Sequence, residues 1–152
     1  IGQLKALGAV IVDPVRASTL PFFGELELEL LRYGLKASLN HYLSEHPRAS
    51  VGNLAEPIRF NEDHAADVMP YFRQEFFEMA QAKGDLNDET YIHVKSELRR
   101  LSRIEGIDKA LNEFQLDAII APTEGSPAFV IDPVVGDNIL RGGGSTPPAV
   151  AG

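Results

Sequence analysis

The chain has 152 residues, enough for one domain with a single sizeable core. Its apolar share of 44% and charged share of 24% describe a soluble globular chain and exclude intrinsic disorder. A net charge of −8 argues against nucleic acid as a partner, the absence of cysteine excludes disulfides and thiolate chemistry, and no apolar run approaches the roughly 20 residues that cross a bilayer.

The N-terminus shows no signal-peptide pattern, and Ile1 stands where an initiator Met would be expected. Gln3–Leu7 reads as the tail of a helix stopped by Gly8, and a domain that opens inside a helix suggests a fragment. Ala9–Val12 is a short apolar run before Asp13-Pro14, and the spacing predicts a buried strand there. The compartment stays open: cytoplasm is favoured and periplasm is compatible.

Residues 25–30 alternate Glu and Leu with period 2, but Leu28, Leu31, Leu35, Leu39 and Tyr42 fall at helical spacing. The longer pattern predicts a helix over 24–44, with Gly34 as a weak point. Asn53 and Glu56 make an N-cap and N3 pair for a helix to about Ala66, with Pro57 a penalty at its fourth position. A short aromatic-rich helix is predicted over Tyr71–Gln81, ending near Gly84. Asn87 is predicted to cap the longest helix, which carries a stripe of Tyr91, Val94, Leu98, Leu101, Ile104, Ile107, Leu111 and Phe114. Leu116–Ala121 reads as a second strand, closed by Pro122. Residues 122–152 are rich in Gly and Pro, show no helical period and read as loop that lines a site or meets another segment. Two strands make a poor sheet alone, so further strands are expected from outside this chain.

Few residues suggest chemistry. Asp63-His64 sets a carboxylate beside a histidine, but no pair of histidines has metal-ligand spacing, so no metal site is expected. Gly142–Ser145 lacks the Lys of a phosphate loop. Ser145 as a nucleophile would need a base in reach, and the simpler reading is a turn-forming glycine run. Asp117, Glu124, Asp132 and Asp137 are best read singly as solvated loop acids.

The order of segments says more. Leu30-Leu-Arg-Tyr33, Lys36 and Leu39–Leu43 resemble the pattern LLxYEFKxxLNxYL of amidase signature enzymes. Asn53–Glu56 with Phe60–Ala65 is similar to the next block of that family, and Met69–Phe76 to its MPYFGQE stretch. Gln81–Gly84 continues it, Leu116–Thr123 resembles LDALVAPT, and Gly136-Asp137 with Gly143–Gly152 resembles the family's late Gly-rich loop. Departures are Gly34-Leu35 for Glu-Phe, Arg73 for Gly, and Glu124-Gly-Ser126 for Gly-Gly. The branch resembled is that of the bacterial amidases that include peptide amidases.

The resemblance implies an α/β fold: an incomplete portion of the amidase signature fold, with helices packed on a few strands of a larger mixed sheet. Residues 1–152 would be the C-terminal part of a single amidase domain, with 122–152 a pocket-lining or docking segment. It implies amide hydrolysis by a serine nucleophile, a second serine in a cis linkage and a lysine base. Those residues belong to an N-terminal Lys block and a GGSSGG-like block, neither present here. No catalytic residue is therefore assigned to this chain, and no cofactor or metal is expected. Lys36, Lys83, Lys95 and Lys109 all read as helical and match no catalytic motif. Thr123, Glu124 and Ser126 are the candidate substrate-pocket residues. The expected partners are the missing N-terminal half and a small-molecule or peptide amide, with no nucleic acid and no membrane. Self-association through exposed apolar surface is also expected. A binding module built on the same helices, and a small enzyme using Ser145, are the alternatives.

Overall fold

The computed structural model describes residues 1–15, 23–123 and 146–151. They fall into two compact units: Gly24–Glu97, and Ile1–Phe23 together with Leu98–Gly152.

The Gly24–Glu97 unit is helical. Helix α2 spans Gly24–Glu45, as its leucine spacing predicts, with Glu25 and Glu27 in its positive first turn. Its buried face differs from the predicted stripe. Tyr33 and Leu43 are buried and Leu35 and Leu39 are partly buried, while Leu28, Leu31 and Tyr42 face water. Helix α3 covers Ala55–Asp63, α4 Ala65–Val68 and α5 Glu75–Gln81. Helix α5 packs on α2 and on α3. The core they enclose is Leu54, Ile58 and Ala80, flanked by Leu35, Leu39 and Phe77.

The start of α3 uses the residues expected, one position displaced. The Asn53 side-chain oxygen accepts from the Ala55 N–H at 3.0 Å, and Glu56 reaches back to the Gly52 N–H at 2.8 Å. Pro57 becomes the third helical residue, where its missing N–H has no intrahelical acceptor to lose. The helix ends at Asp63 rather than Ala66. The His64 Nδ1–H donates to the Phe60 carbonyl at 2.9 Å and its ring stacks on Phe60 at 4.3 Å, which closes the C-terminus. His46 repeats the arrangement after α2, on the Tyr42 carbonyl and ring. A carbonyl can only accept, so each of these histidines carries a proton on Nδ1.

The aromatic helix begins at Glu75, not Tyr71, because Gln74 turns inward. Its amide N–H donates to the Ile58 carbonyl at 3.0 Å, and its oxygen accepts from Asn61 at 3.0 Å. The next cap also differs from expectation. Asp88, not Asn87, accepts the Thr90 N–H at 2.8 Å and starts α6 (Glu89–Arg99), while the Asn87 N–H goes to Asp85.

Helix α6 continues into a π-helical stretch, Arg100–Asp108, and then α7, Lys109–Glu113. The wider π turn shifts the register of the predicted stripe. Leu98 and Leu101 are buried as expected, but the buried face then runs through Ser102, Gly106 and Ala110, and Ile104 is 59% exposed. The Ser102 hydroxyl donates to the Leu98 carbonyl at 2.7 Å, a local bond that competes with the α ladder. Gln115, at φ 53°, ends α7 in the left-handed region.

In the other unit, α1 covers Gly2–Ala6 and Gly8 ends it at φ +95°, as its position predicts. Helix α8, Thr146–Ala151, packs on the π-helical stretch. This helix corrects the reading of 122–152 as loop throughout. Pro147 and Pro148 sit in its first turn, where proline is tolerated.

The predicted strands are not seen. Among the described residues there is no β-strand, and Ala9–Val12 and Leu116–Ala121 are irregular here. Apolar composition alone cannot make a strand, which requires a neighbouring ladder to pair with. A sheet is therefore not part of the observed fold, whose described elements are helical.

Candidate functional site

Of the three predicted pocket residues, Thr123 lies at an exposed bend and Glu124 and Ser126 fall outside the described residues. Thr123 directly follows Pro122, and Pro122 lines an open hollow within its own unit. One wall of that hollow is Val10–Asp13 with Val15. The other is Leu116 with Ala118–Pro122, and Ile1 closes one end. Both segments read as strands thus meet here, without pairing. Asp13 is the hollow's one ionisable side chain. Asp117 is not among the lining residues.

The Gly24–Glu97 unit has a second hollow, along Val68, Met69 and Phe72–Phe77, with Asn61 at its base. Gln74 and Asn61 form its polar floor through the bonds given above. Arg73 and Glu75 stand among aromatic residues, and Tyr71 and Phe72 face water. Sequence reasoning marked this block by resemblance and missed that Gln74 is an anchor. An uncharged amide between Arg73 and Glu75, inside an aromatic stretch, was the available signal.

The polar groups of this unit converge on one cluster. Lys83 donates to Glu29 at 2.5 Å, and Arg32 pairs with the same carboxylate at 3.2 Å. The hydrogen bond from Lys83 does most to hold the Glu29 carboxyl below the usual range, against a smaller opposing effect of burial. The Lys83 ammonium also lies 5.4 Å from the centre of the Tyr33 ring. Tyr33 is 4% exposed and interacts with Asp88 and Thr90. Burial, then the Asp88 carboxylate, pushes the Tyr33 phenol up from its ordinary value. The Thr90 backbone N–H, with the Tyr33 hydroxyl, holds Asp88 down. Lys36 donates to the Gln81 carbonyl at 2.9 Å and to the Lys83 carbonyl, capping the end of α5.

Several of the side chains weighed for chemistry are engaged locally. Lys36 is spent on carbonyls and Lys83, which lies beyond α5 rather than on a helix, is spent on Glu29. Lys95 lies over the Tyr91 ring at 5.7 Å. Ser102 is buried on Leu98, and Ser44 donates to the His41 carbonyl. His64 serves a helix end. Among the described residues no group of three His, Asp or Glu is placed to hold a metal, and no helix is long and apolar enough to cross a membrane. Ser145 lies outside the described residues.

No protein-family model matches the sequence. A protein named probable amidase from Arabidopsis thaliana is 31% identical over 127 residues, which is 79% of this chain and 24% of that protein. The crystal structure of PAM12A matches with a TM-score of 0.86 and 41% identity, covering 99% of this chain and 30% of that one. The peptide amidase PAM, solved with the competitive inhibitor chymostatin, matches with a TM-score of 0.84 and 39% identity over the same shares. The chain thus spans about a quarter to a third of the length of the proteins it matches. By sequence homology and by fold, this chain is related to the amidases, and it corresponds to a segment of a peptide amidase.

Proposed function

We propose that this chain is the C-terminal part of an amidase that hydrolyses carbon–nitrogen amide bonds of small molecules or peptides. The observation that carries this reading is the match of 99% of the chain to PAM12A at 41% identity. The catalytic serine, the cis-linked serine and the lysine base lie in sequence outside residues 1–152. The serine attacks the amide carbonyl, the second serine relays its proton to the lysine, and ammonia or an amine leaves before water frees the acid. The α/β sheet of the amidase signature fold is completed by strands from that other part, and Ala9–Val12 and Leu116–Ala121 join it there. Thr123, Glu124 and Ser126 contribute to the pocket wall.

Two measurements test this. The coding region upstream of Ile1 is expected to encode a Lys block and a GGSSGG-like serine block in frame. The polypeptide that includes them should release ammonia from a peptide amide, and the 152-residue chain alone should release none. Turnover by the 152-residue chain alone, or an upstream region without either block, would refute the proposal and favour a self-contained module.

A further inference from the structure

We infer that the hollow along Val68, Met69 and Phe72–Phe77 is a subsite for an acidic residue of a peptide, and that Arg73 sets the preference for it. This rests on the function proposed above and names a substrate class within it, peptide amides that carry one carboxylate.

Four observations support it. First, Arg73 is exposed, and no hydrogen bond, ion pair or ring contact engages it among the described residues. The chain carries 22 acidic side chains against 14 basic ones, yet no described carboxylate neutralises this guanidinium. Its planar fork matches a carboxylate with two parallel hydrogen bonds. The residue is also this chain's own addition, since the MPYFGQE pattern that the stretch resembles has Gly there. Second, Arg73 is the one Lys or Arg that lines the hollow. A single cation suits a single carboxylate, whereas a polyanion calls for several. Third, the wall beside it is aromatic: Phe72 is 73% exposed and Phe76 36%. Such rings take the apolar stem of an acidic residue or the side chain next to it. Fourth, the rest of the lining suits a peptide main chain. Gln74 accepts from the Asn61 amide, which leaves the Asn61 side-chain oxygen without a donor among the described residues. It accepts from a peptide N–H. Glu75 opens α5, where the helix N-terminus favours its charge, and it too accepts an N–H and repels a second carboxylate.

The test titrates the isotope-labelled 152-residue chain with acetyl-Phe-Glu-amide and with acetyl-Phe-Gln-amide, followed by NMR. Backbone amides of residues 72–77 and the Asn61 side chain should shift, and the Glu peptide should bind about fivefold more tightly than the Gln peptide. Arg73→Gly should erase that difference and leave the circular dichroism unchanged, because the side chain is exposed. Phe72→Ala, equally exposed, should weaken both peptides alike by about threefold. Equal affinities for the two peptides, a preference that survives Arg73→Gly, or shifts confined to other residues would each overturn the inference. The same two peptides, offered as substrates to the longer polypeptide, separate the subsite from the function it rests on. A higher kcat/KM for the Glu peptide that Arg73→Gly removes is the expected result. Ammonia released from both peptides with one kcat/KM refutes the subsite and keeps the function. A Glu preference in binding, with ammonia released from neither, keeps the subsite and refutes the function.

Discussion

Replacing Leu54 by Ala isolates the packing of the helical unit. Leu54 is 0% exposed and packs in the cluster with Ile58, Ala80, Leu35, Leu39 and Phe77. Its backbone N–H is also fixed, by the Asn40 side-chain oxygen at 2.8 Å, so the position cannot drift to refill the space. The substitution deletes three buried carbons, which at about 0.8 kcal/mol each costs roughly 2.4 kcal/mol in transfer energy. The cavity left behind adds to this, and the expected total is about 3–4 kcal/mol. Leu31→Ala is the control, since Leu31 sits on α2 but is half exposed, and it should cost less than about 1 kcal/mol. Urea unfolding followed by far-ultraviolet circular dichroism reads both, because the chain has no Trp and its described elements are helical. Equal losses for the two variants, or a loss below about 1 kcal/mol for Leu54→Ala, would refute the core assigned here.

The remaining predictions concern the polar cluster. A Cβ on Gly84 would lie 2.6 Å from Asp88 Oδ2, an oxygen whose carboxylate is held by Thr90 and Tyr33. Gly84→Ala should therefore lower the melting temperature and raise the Asp88 pKa measured by NMR; an unchanged pKa would show that the carboxylate is not displaced. Glu29 and Asp88 have depressed carboxyl values in the folded state, so their contribution is present above the ordinary carboxylate range and is lost as pH falls through the folded values. Denaturant midpoints should drop on acidification below about pH 4.5, and Glu29→Gln should flatten that drop. Tyr33 is raised, so its contribution is complete below its ordinary value of 10.0 and is lost as pH rises beyond it. Alkaline unfolding should therefore begin above pH 10.0 and weaken in Tyr33→Phe. Gln74→Leu strands the Ile58 carbonyl and the Asn61 amide, and should destabilise by about 1–3 kcal/mol in the same urea assay.

Local signals in the sequence carried much of the helical fold. The leucine spacing over 24–44 and the punctuation by Gly8 each follow from short-range chemistry, and each is observed. The Asn53 and Glu56 pair caps α3 because a side-chain acceptor beside free N–H groups finds them in almost any context. The relation to the amidases was also legible, since it rests on the order and spacing of blocks.

Other features depended on the neighbours that a residue acquires on folding. The cap at Asp88 rather than Asn87 comes with the Thr90 N–H on its carboxylate, and Tyr33, far away in sequence, also helps keep that carboxyl ionised. The inward turn of Gln74 needed the Ile58 carbonyl, and it moved the start of α5 by four residues. The π turn at 100–108 rotated the apolar stripe so that Ile104 faces water and small residues face inward against α8. The two apolar segments show the division most clearly. Their composition determined that they are apolar enough to be buried, but a strand exists only when another strand supplies the opposite half of its hydrogen bonds. Sequence by itself thus determined the helices and the kinship, whereas tertiary structure decided the caps, the register and the absence of a sheet among the described residues.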